Sequence, residues 1–241
     1  MLEYRTALRA ALQAMDVMSG LALAATYASS DDGYVDAENA LLYNLGASAY
    51  SHLLGDGLYC KRVASTEDRH RLSYRLEPMP DLPPGTTLMS LEIEAPSRKD
   101  RPGPWWAAFR RAALAMHADV QHNGIFAVDL TVPEEWRLTT VANVLKPLLD
   151  GLISALHRQD EHVHDDLSRD RLMPSLARLG EPNAMWSMLN DPACNLLGSR
   201  ALVRPHGNGI AWNPADERCH VFRLHRAQRA TSVRAEIRTM P

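Results

Sequence analysis

The clearest pattern of this sequence lies in residues 124–163, where the chain reads GIFAVDLTVPEEWRLTTVANVLKPLLDGLISALHRQDEHV. It begins with an apolar, β-prone run over residues 125–132 that ends at Pro133. A polar loop follows, and leucines then recur at spacings of three and four over residues 145–156. This spacing places the leucines on one face of a helix. The stretch therefore predicts a strand, a loop and an amphipathic helix that fold as one unit.

The first part of the chain shows further helical and strand patterns. Leucine and methionine at helical spacing predict a helix over residues 3–18, and residues 36–54 predict another. The run at residues 21–27 fits either a helix or a strand. Residues 58–63 and 71–76 predict two strands around a charged turn.

Beyond these strands, a Pro-rich span at residues 78–84 is the best candidate for a linker. Alternating apolar residues predict a strand over residues 87–94. An apolar stripe after Pro104 predicts a helix over residues 105–120, because proline is favoured at the start of a helix.

These patterns predict an α+β protein in which a small mixed or antiparallel sheet is covered by helices. We expect either one compact body or two fused similar units. The expected organisation is an N-terminal unit over residues 1–80, a second unit over residues 81–224 with a helical insertion at 161–192 and short strands at 201–224, and a basic tail at 225–241. The tail is expected to fray.

Composition narrows the possible functions. Of the 241 residues, 46% are hydrophobic and 23% are charged, and the net charge is −3. This charge excludes a global basic field, so any contact with nucleic acid must come from local patches. No apolar run of about 18 residues exists, so no membrane span is expected. The distant Cys60, Cys194 and Cys219 are expected to be structural thiols, which, with the lack of a secretory signal, indicates a cytoplasmic protein.

The helix of the opening stretch carries a short motif. Residues 140–152 read TVANVLKPLLDGL, and an acidic pair follows ten and eleven residues after Asp150. The order of strand, basic loop, helix, strand and motif-bearing helix resembles that of RusA-type Holliday-junction resolvases. Their motif reads Asp-x-Asp-Asn-x-x-Lys-x-x-x-Asp-x-Leu and precedes an adjacent acidic pair. The matching positions here are Asn143, Lys146, Asp150 and Leu152.

The resemblance implies a RusA-like fold, with catalytic roles for Lys146 and Asp150 and a metal-binding role for Glu161. Thr140 and Ala142 replace the two leading aspartates of the motif. Such enzymes need clustered carboxylates, because Mg²⁺ is a hard ion that takes oxygen ligands. The resemblance therefore implies the fold more than the activity. Lys146 and Asp150 also fit an ordinary ion pair on a helix surface.

A partial copy of the motif occurs in the first half of the chain. The run Asp36-Ala37-Glu38-Asn39 fits its acidic start, and it also lies after a possible strand. Asn39 would then correspond to Asn143. One interpretation is a duplicated unit whose halves each keep part of an ancestral site, forming an internal pseudo-dimer. In the alternative interpretation the match is due to chance, and Asp36 is simply a helix cap.

Two sets of acids are candidate ligands for Mg²⁺ or Mn²⁺. These sets are Asp36 with Glu38, and Asp150 with Asp160 and Glu161. Residues 160–166 also contain a His-x-His pair with nearby acids, a combination that can hold Zn²⁺ or Mn²⁺. In a solvated loop, the same charges would only keep the chain soluble.

A basic cluster surrounds the start of the helix predicted over residues 105–120. Its members are Arg98, Lys99, Arg101, Arg110 and Arg111, with Trp105, Trp106 and Phe109 among them. Arginine side chains suit phosphates, and aromatic rings stack on unpaired bases. The cluster predicts a site for nucleic acid or an acidic partner, whereas the spacing of Trp105 and Phe109 predicts a place in the core.

Three hypotheses for the function follow. The first is a RusA-like protein with a degraded metal site that binds structured DNA or RNA, or a protein partner, without cleavage. The second is a divergent structure-specific nuclease that depends on Mg²⁺ or Mn²⁺. The third is an assembly or regulatory subunit that binds another protein or a second copy of the chain. No other cofactor is indicated.

Overall fold

The structure of the chain is a computed structural model, and it describes residues 2–30, 37–43, 45–67, 70–116, 121–160, 166–207 and 209–241. The described α-helices are α1 (Leu2–Gln13), α2 (Pro102–Met116), α3 (Leu138–Ala155), α4 (Asp166–Leu176) and α5 (Pro182–Asn190). The first six strands are β1 (Ala22–Ser29), β2 (Leu58–Ala64), β3 (Arg71–Glu77), β4 (Thr87–Ile93), β5 (Phe126–Pro133) and β6 (Arg158–Gln159). The remaining strands are β7 (Ser199–Arg200), β8 (Val203–His206), β9 (Gly209–Trp212), β10 (Cys219–Ala227) and β11 (Val233–Thr239).

A mixed sheet of seven strands dominates the fold, in the order β3-β1-β2-β10-β5-β11-β4. Alternation along β5 shows its two faces, because Val128 and Leu130 are fully buried whereas Asp129 and Thr131 keep some exposure. The pairs β6-β7 and β8-β9 form two further small sheets. The predicted α+β class and mixed sheet are therefore confirmed, although the sheet is larger than expected.

Contacts between backbone positions divide the chain into two units that alternate along the sequence. The first unit comprises Met1–Ser90, Gly124–Leu145 and Glu217–Pro241, and the second comprises Leu91–Asn123 and Lys146–Asp216. The division into residues 1–80, 81–224 and 225–241 that the sequence predicted stays a prediction. The described chain contains no helix with the length and hydropathy that a bilayer span requires.

Two triplets of strands in the large sheet have the same connectivity. β1 pairs in parallel with β2 and antiparallel with β3, and β5 pairs in parallel with β10 and antiparallel with β11. In each triplet the middle strand comes first in the chain, and a helical segment follows it. The triplets meet where β2 lies antiparallel to β10, with Cys60 opposite Phe222. Because this pairing is antiparallel, the order and the directions of these six strands have two-fold symmetry.

The continuous helix expected over residues 36–54 is wrong. The described part of this segment forms a π-helical turn at Asn39–Tyr43 and two 3₁₀ turns at Ala47–Ala49 and Ser51–Leu53. Gly46 separates them at a φ of 77°, in the left-handed region that interrupts a right-handed helix. The leucines that give this segment its apolar periodicity are nevertheless buried, among them Leu41, Leu42 and Leu53.

Two other expectations about strands need correction. The predicted strands at 58–63 and 71–76 exist as β2 and β3, but they do not pair with each other, because β1 lies between them. The tail from His225 does not fray. It continues β10 and then forms β11, whose Val233, Ala235 and Ile237 are buried beside β5. Alternating apolar residues in an arginine-rich sequence thus supply an inner strand of the sheet.

The Pro-rich span after β3 is a strap across the sheet rather than a linker between domains. It joins β3 at one edge to β4 at the other, and its Met79 and Leu82 pack against Tyr59, Ala127 and Val221 on three inner strands. Seven strands span roughly 29 Å, and the ten residue steps from β3 to β4 reach at most roughly 36 Å. The strap is therefore close to fully extended.

We expect Gly57→Ala to lower the free energy of unfolding by about 1–3 kcal/mol. Gly57 has a φ of +115°, and an added Cβ would collide with the Leu224 carbonyl oxygen and the Met79 methyl group. Gly55→Ala is the matched control, because a Cβ there meets nothing within 4 Å. Urea unfolding monitored by tryptophan fluorescence measures both variants. Equal stability of the two would contradict this account of the turn.

Candidate functional site

The motif-bearing helix packs directly against the start of α2. An added Cβ on Gly151 of α3 would lie 2.7 Å from the Pro102 carbonyl oxygen and 2.9 Å from the Trp106 nitrogen, so only glycine permits this approach. Gly151 follows Asp150, which the sequence assigned to the site. The local sequence therefore brings the acidic end of the motif beside the helix whose N-terminal side carries the predicted basic cluster.

Lys146 and Asp150 form an ion pair with a third residue, Asp216. The Lys146 Nζ lies 3.0 Å from Oδ1 of Asp150 and 3.7 Å from Oδ2 of Asp216. Their side chains keep only 23%, 14% and 19% exposure, which makes this pairing less screened than one on an open helix surface. One ammonium group thus faces two carboxylates, in a partly buried position.

The two carboxylates are close enough to share one divalent cation. Asp150 and Asp216 each offer an oxygen within 4.8 Å of the other, and oxygen ligands of this kind suit Mg²⁺ or Mn²⁺. The motif positions that carry aspartates in the resembled family hold Thr140 and Ala142, and Ala142 is buried. Within the second unit, the site therefore has two carboxylates, Asp150 and Asp216, and a cation of its own, Lys146.

The other predicted metal ligands are not all placed. Asp36 and Glu161 lie outside the described residues. Glu38 lies in the first unit and is 5% exposed. Asp160 follows β6, where its backbone N–H donates to the Arg200 carbonyl, and its carboxylate joins no cluster of possible ligands within the described ranges.

A cavity of about 330 Å³ in the second unit, here called the arginine cavity, is lined by three segments, two of which contribute basic side chains. Its principal lining residues are Arg98 and Arg101 before α2, Ser175 and Arg178 near the end of α4, and Ile210 and Trp212 on β9. All three arginines are exposed. Arg98 and Arg101 approach Asp100 at only 3.9 and 3.8 Å, in a setting where exposed ion pairs contribute little.

The predicted basic cluster is thus divided by the structure. Arg98 and Arg101 line the arginine cavity, whereas Lys99, Arg110 and Arg111 are not among its described lining residues. The Lys99 carbonyl accepts a hydrogen bond from the Trp105 indole, and Arg111 is exposed on α2. Arg110 is fully buried. The sequence does not show this difference, because all five residues are basic and close together.

Arg110 serves the interior of the second unit instead of a surface site. Its guanidinium donates to five backbone carbonyl groups, at 2.7–2.9 Å, which belong to Ala155, His157, Met188, Asp191 and Cys194. Burial lowers the pKa of Arg110, and the nearby Cys194 and Asp191 partly oppose that effect. A single side chain thereby satisfies carbonyl groups at the ends of α3 and α5 that helix geometry leaves open.

The aromatic residues of α2 are also interior. Trp105, Trp106 and Phe109 are fully buried, as the apolar stripe predicted for Trp105 and Phe109. The Trp106 ring contacts Trp212 of β9, with centroids 5.2 Å apart and planes tilted by 41°. Trp212 keeps some exposure and lines the arginine cavity.

No sequence pattern identified Asp216, Arg178 or Trp212 as residues of the site. Each is far from the motif in the chain and joins the site only through the fold. Asp216 opens a 3₁₀ turn that leads into β10, and Arg178 follows α4. Asn213 and Pro214, which lie between β9 and Asp216, are typical of a turn, and such a pair indicates a change of direction but no chemistry.

A second polar cluster lies on the sheet of the first unit. Asp129 of β5 accepts two hydrogen bonds from Arg223, at 2.6 and 3.1 Å, and lies 3.3 Å from His225, with both partners on β10. Burial acts to raise the pKa of Asp129, but hydrogen bonds from His225 and Arg223 together outweigh burial and lower it. Elsewhere, burial raises the pKa of Cys60 and Cys194, and all three cysteines are unbridged and buried, as expected of structural thiols.

We expect Arg110→Met to destabilise the protein by roughly 3 kcal/mol or more, because five buried carbonyl groups lose their donor. Arg111→Met, the matched control on the exposed face of α2, should change the free energy of unfolding by no more than about 0.5 kcal/mol. Urea unfolding at one pH measures both. Equal effects of the two substitutions would show that Arg110 has no special structural role.

No protein-family model, curated protein or solved structure matches this chain. The fold class therefore rests on the strands and helices themselves, and the resemblance to RusA-type resolvases remains an expectation from the motif at residues 140–152.

Proposed function

We propose that this chain is a RusA-like protein, built from two fused similar units, that binds structured nucleic acid without cleaving it. The observation that carries the proposal is the convergence of Arg98, Arg101 and Arg178 on one cavity. Guanidinium groups bind phosphate oxygens through paired, charge-assisted hydrogen bonds. Three of them around one concave site suit the backbone of a nucleic acid.

Local charge is important here because the protein as a whole is weakly acidic, with a net charge of −3. Binding must therefore come from a basic site, since no general positive field attracts the ligand. Among the described residues, Arg98 and Arg101 form ion pairs with Asp100 alone, at the long distances given above. These guanidinium groups can turn to a phosphate at little cost.

The proposed lack of cleavage is supported by the composition of the acidic site around Asp150 and Asp216. Lys146 contacts both Asp150 and Asp216, so the positive charge that a metal ion would supply is already present in part. Thr140 and Ala142 provide no carboxylate where the resembled motif has two. An ammonium group that already pairs with both carboxylates neutralises part of the charge that would attract Mg²⁺.

The connectivity of the two strand triplets supports the proposed duplication. Each triplet has a first strand, a helical segment, a parallel strand and a short connection to an antiparallel strand. The two asparagines that the motif comparison equates, Asn39 and Asn143, both lie in the helical segment that follows the first strand. Duplication and fusion of one unit would produce this arrangement, with its two-fold relation at β2 and β10.

Replacing Arg98, Arg101 and Arg178 together by alanine should weaken binding of a labelled four-way DNA junction by at least tenfold and reduce its salt dependence, because each lost phosphate contact lowers the slope by about one. The control replaces Arg71, Arg75 and Arg137, which are exposed and lie in the first unit, and changes the net charge equally. Fluorescence anisotropy over a range of salt measures both. Absence of junction, duplex and single-strand binding by the unmodified chain would refute the proposal.

A second candidate function, a divergent nuclease dependent on Mg²⁺ or Mn²⁺, is favoured by the 4.8 Å limit on the distance between oxygens of Asp150 and Asp216. In that reaction the carboxylates would hold the ion, and Lys146 would stabilise charge on the phosphate. The sequence offered Glu38 as a ligand in a separate set. Substitutions at Glu38, and separately at Asp150 and Asp216, can show which of these acids take part in the reaction.

The unmodified chain is expected to leave a labelled four-way junction, duplex and single strand intact with either metal ion. Cleavage with Mg²⁺ or Mn²⁺ that is lost in Asp150→Asn, Asp216→Asn and Lys146→Ala, and abolished by a chelator, would instead establish the nuclease. Glu38→Gln in parallel reports whether the first acidic set contributes. Gel analysis of products distinguishes these outcomes, and thermal unfolding verifies that each variant is folded.

A further inference from the structure

We infer that the arginine cavity takes a single unpaired nucleotide of a nucleic-acid strand, with its base against Trp212 and its phosphate against Arg98, Arg101 and Arg178. This inference rests on the proposed function and adds a ligand class to the same site. It follows from the mixed chemistry of the cavity, which has both an aromatic side and a cationic one. A nucleotide has the same two parts, a flat base and an anionic phosphate.

The aromatic part is held rigidly. Trp212 ends β9, which pairs antiparallel with β8, and its ring lies 5.2 Å from that of the fully buried Trp106. A ring supported in this way loses little conformational freedom when a base stacks on it. Stacking on an aromatic side chain requires an unpaired base, since paired bases within a duplex are already covered by their neighbours.

The cationic part is assembled where the start of α2 meets the segment that follows α4. An added Cβ on Gly103 would lie 2.9 Å from the side chain of Leu179, the residue after Arg178, so the two segments are in close contact. The first turn of α2 contributes Pro102, Gly103 and Pro104 to the cavity, and the start of a 15-residue helix adds a positive electrostatic contribution. Ser175, 8% exposed, supplies a hydroxyl group to the lining.

The volume of the cavity indicates whether its ligand is one nucleotide or a nucleic-acid duplex. A volume of about 330 Å³ is at the lower end of the range of roughly 300–1,000 Å³ for small-ligand sites. It admits one nucleotide and excludes a duplex. Structured nucleic acids that offer such a nucleotide include overhangs, flaps and opened branch points, so we expect these to bind more tightly than blunt duplex.

The test compares a blunt DNA duplex with the same duplex carrying a short unpaired overhang, by fluorescence anisotropy at one salt concentration. The overhang should improve affinity of the unmodified chain by about tenfold, a size typical of one stacked base. Trp212→Ala should remove that gain, whereas Trp212→Phe, which keeps a ring, should retain most of it. A 2-aminopurine placed in the overhang should be quenched on binding to the Trp212→Phe variant and to the unmodified chain, but not to Trp212→Ala.

Equal affinity for blunt and overhanging duplex would overturn this inference and leave the proposed nucleic-acid binding intact. Absence of any binding would instead refute the proposed function. A nucleoside monophosphate that competes as strongly as the overhanging strand would also overturn the assignment, because the ligand would then be a free nucleotide. Thermal unfolding of both Trp212 variants separates loss of stacking from loss of the fold.

Discussion

The fold depends on the antiparallel pairing of β2 with β10. Only these two strands connect the triplet β3-β1-β2 to the strands β10-β5-β11-β4, and their paired residues include the buried Leu58, Cys60, Phe222 and Leu224. Hydrogen bonds alone contribute modestly to stability, so burial of these side chains must supply most of the adhesion between the two halves of the sheet. The paired residues lie far apart in the sequence, so no local pattern predicts their contact.

The second unit depends on the hydrogen bonds that one buried side chain, Arg110, donates to five carbonyl groups. A charged group without partners would be strongly unfavourable at full burial, but five carbonyl groups share its hydrogen bonds and offset much of the desolvation. Its presence fixes the ends of α3 and α5 around α2. Because Arg110 lies on α2, the same hydrogen bonds hold from inside the helix whose first turn lines the arginine cavity.

Local patterns in the sequence predicted most of the elements but few of their neighbours. The alternation in β5 and the leucine spacing in α3 follow directly from burial on one face, and both elements formed as predicted. The insertion of β1 between β2 and β3 was unpredictable, because strand order depends on long-range pairing. The same limit applies to the site. Lys146 and Asp150 are adjacent on one helix, whereas Asp216 and Trp212 reach their places through tertiary structure, and a buried Arg110 has the same letter as an exposed Arg98.

The position of β11 affects how the protein can be made. Among the described strands of the large sheet, β4 pairs only with β11, which lies far along the chain from β4 and also completes the pairing of β5. During synthesis, the ribosome therefore releases both strands long before their partner exists, and their unpaired edges are exposed to association with other chains. The large sheet closes only when β11 emerges, so this late strand controls the timing of folding.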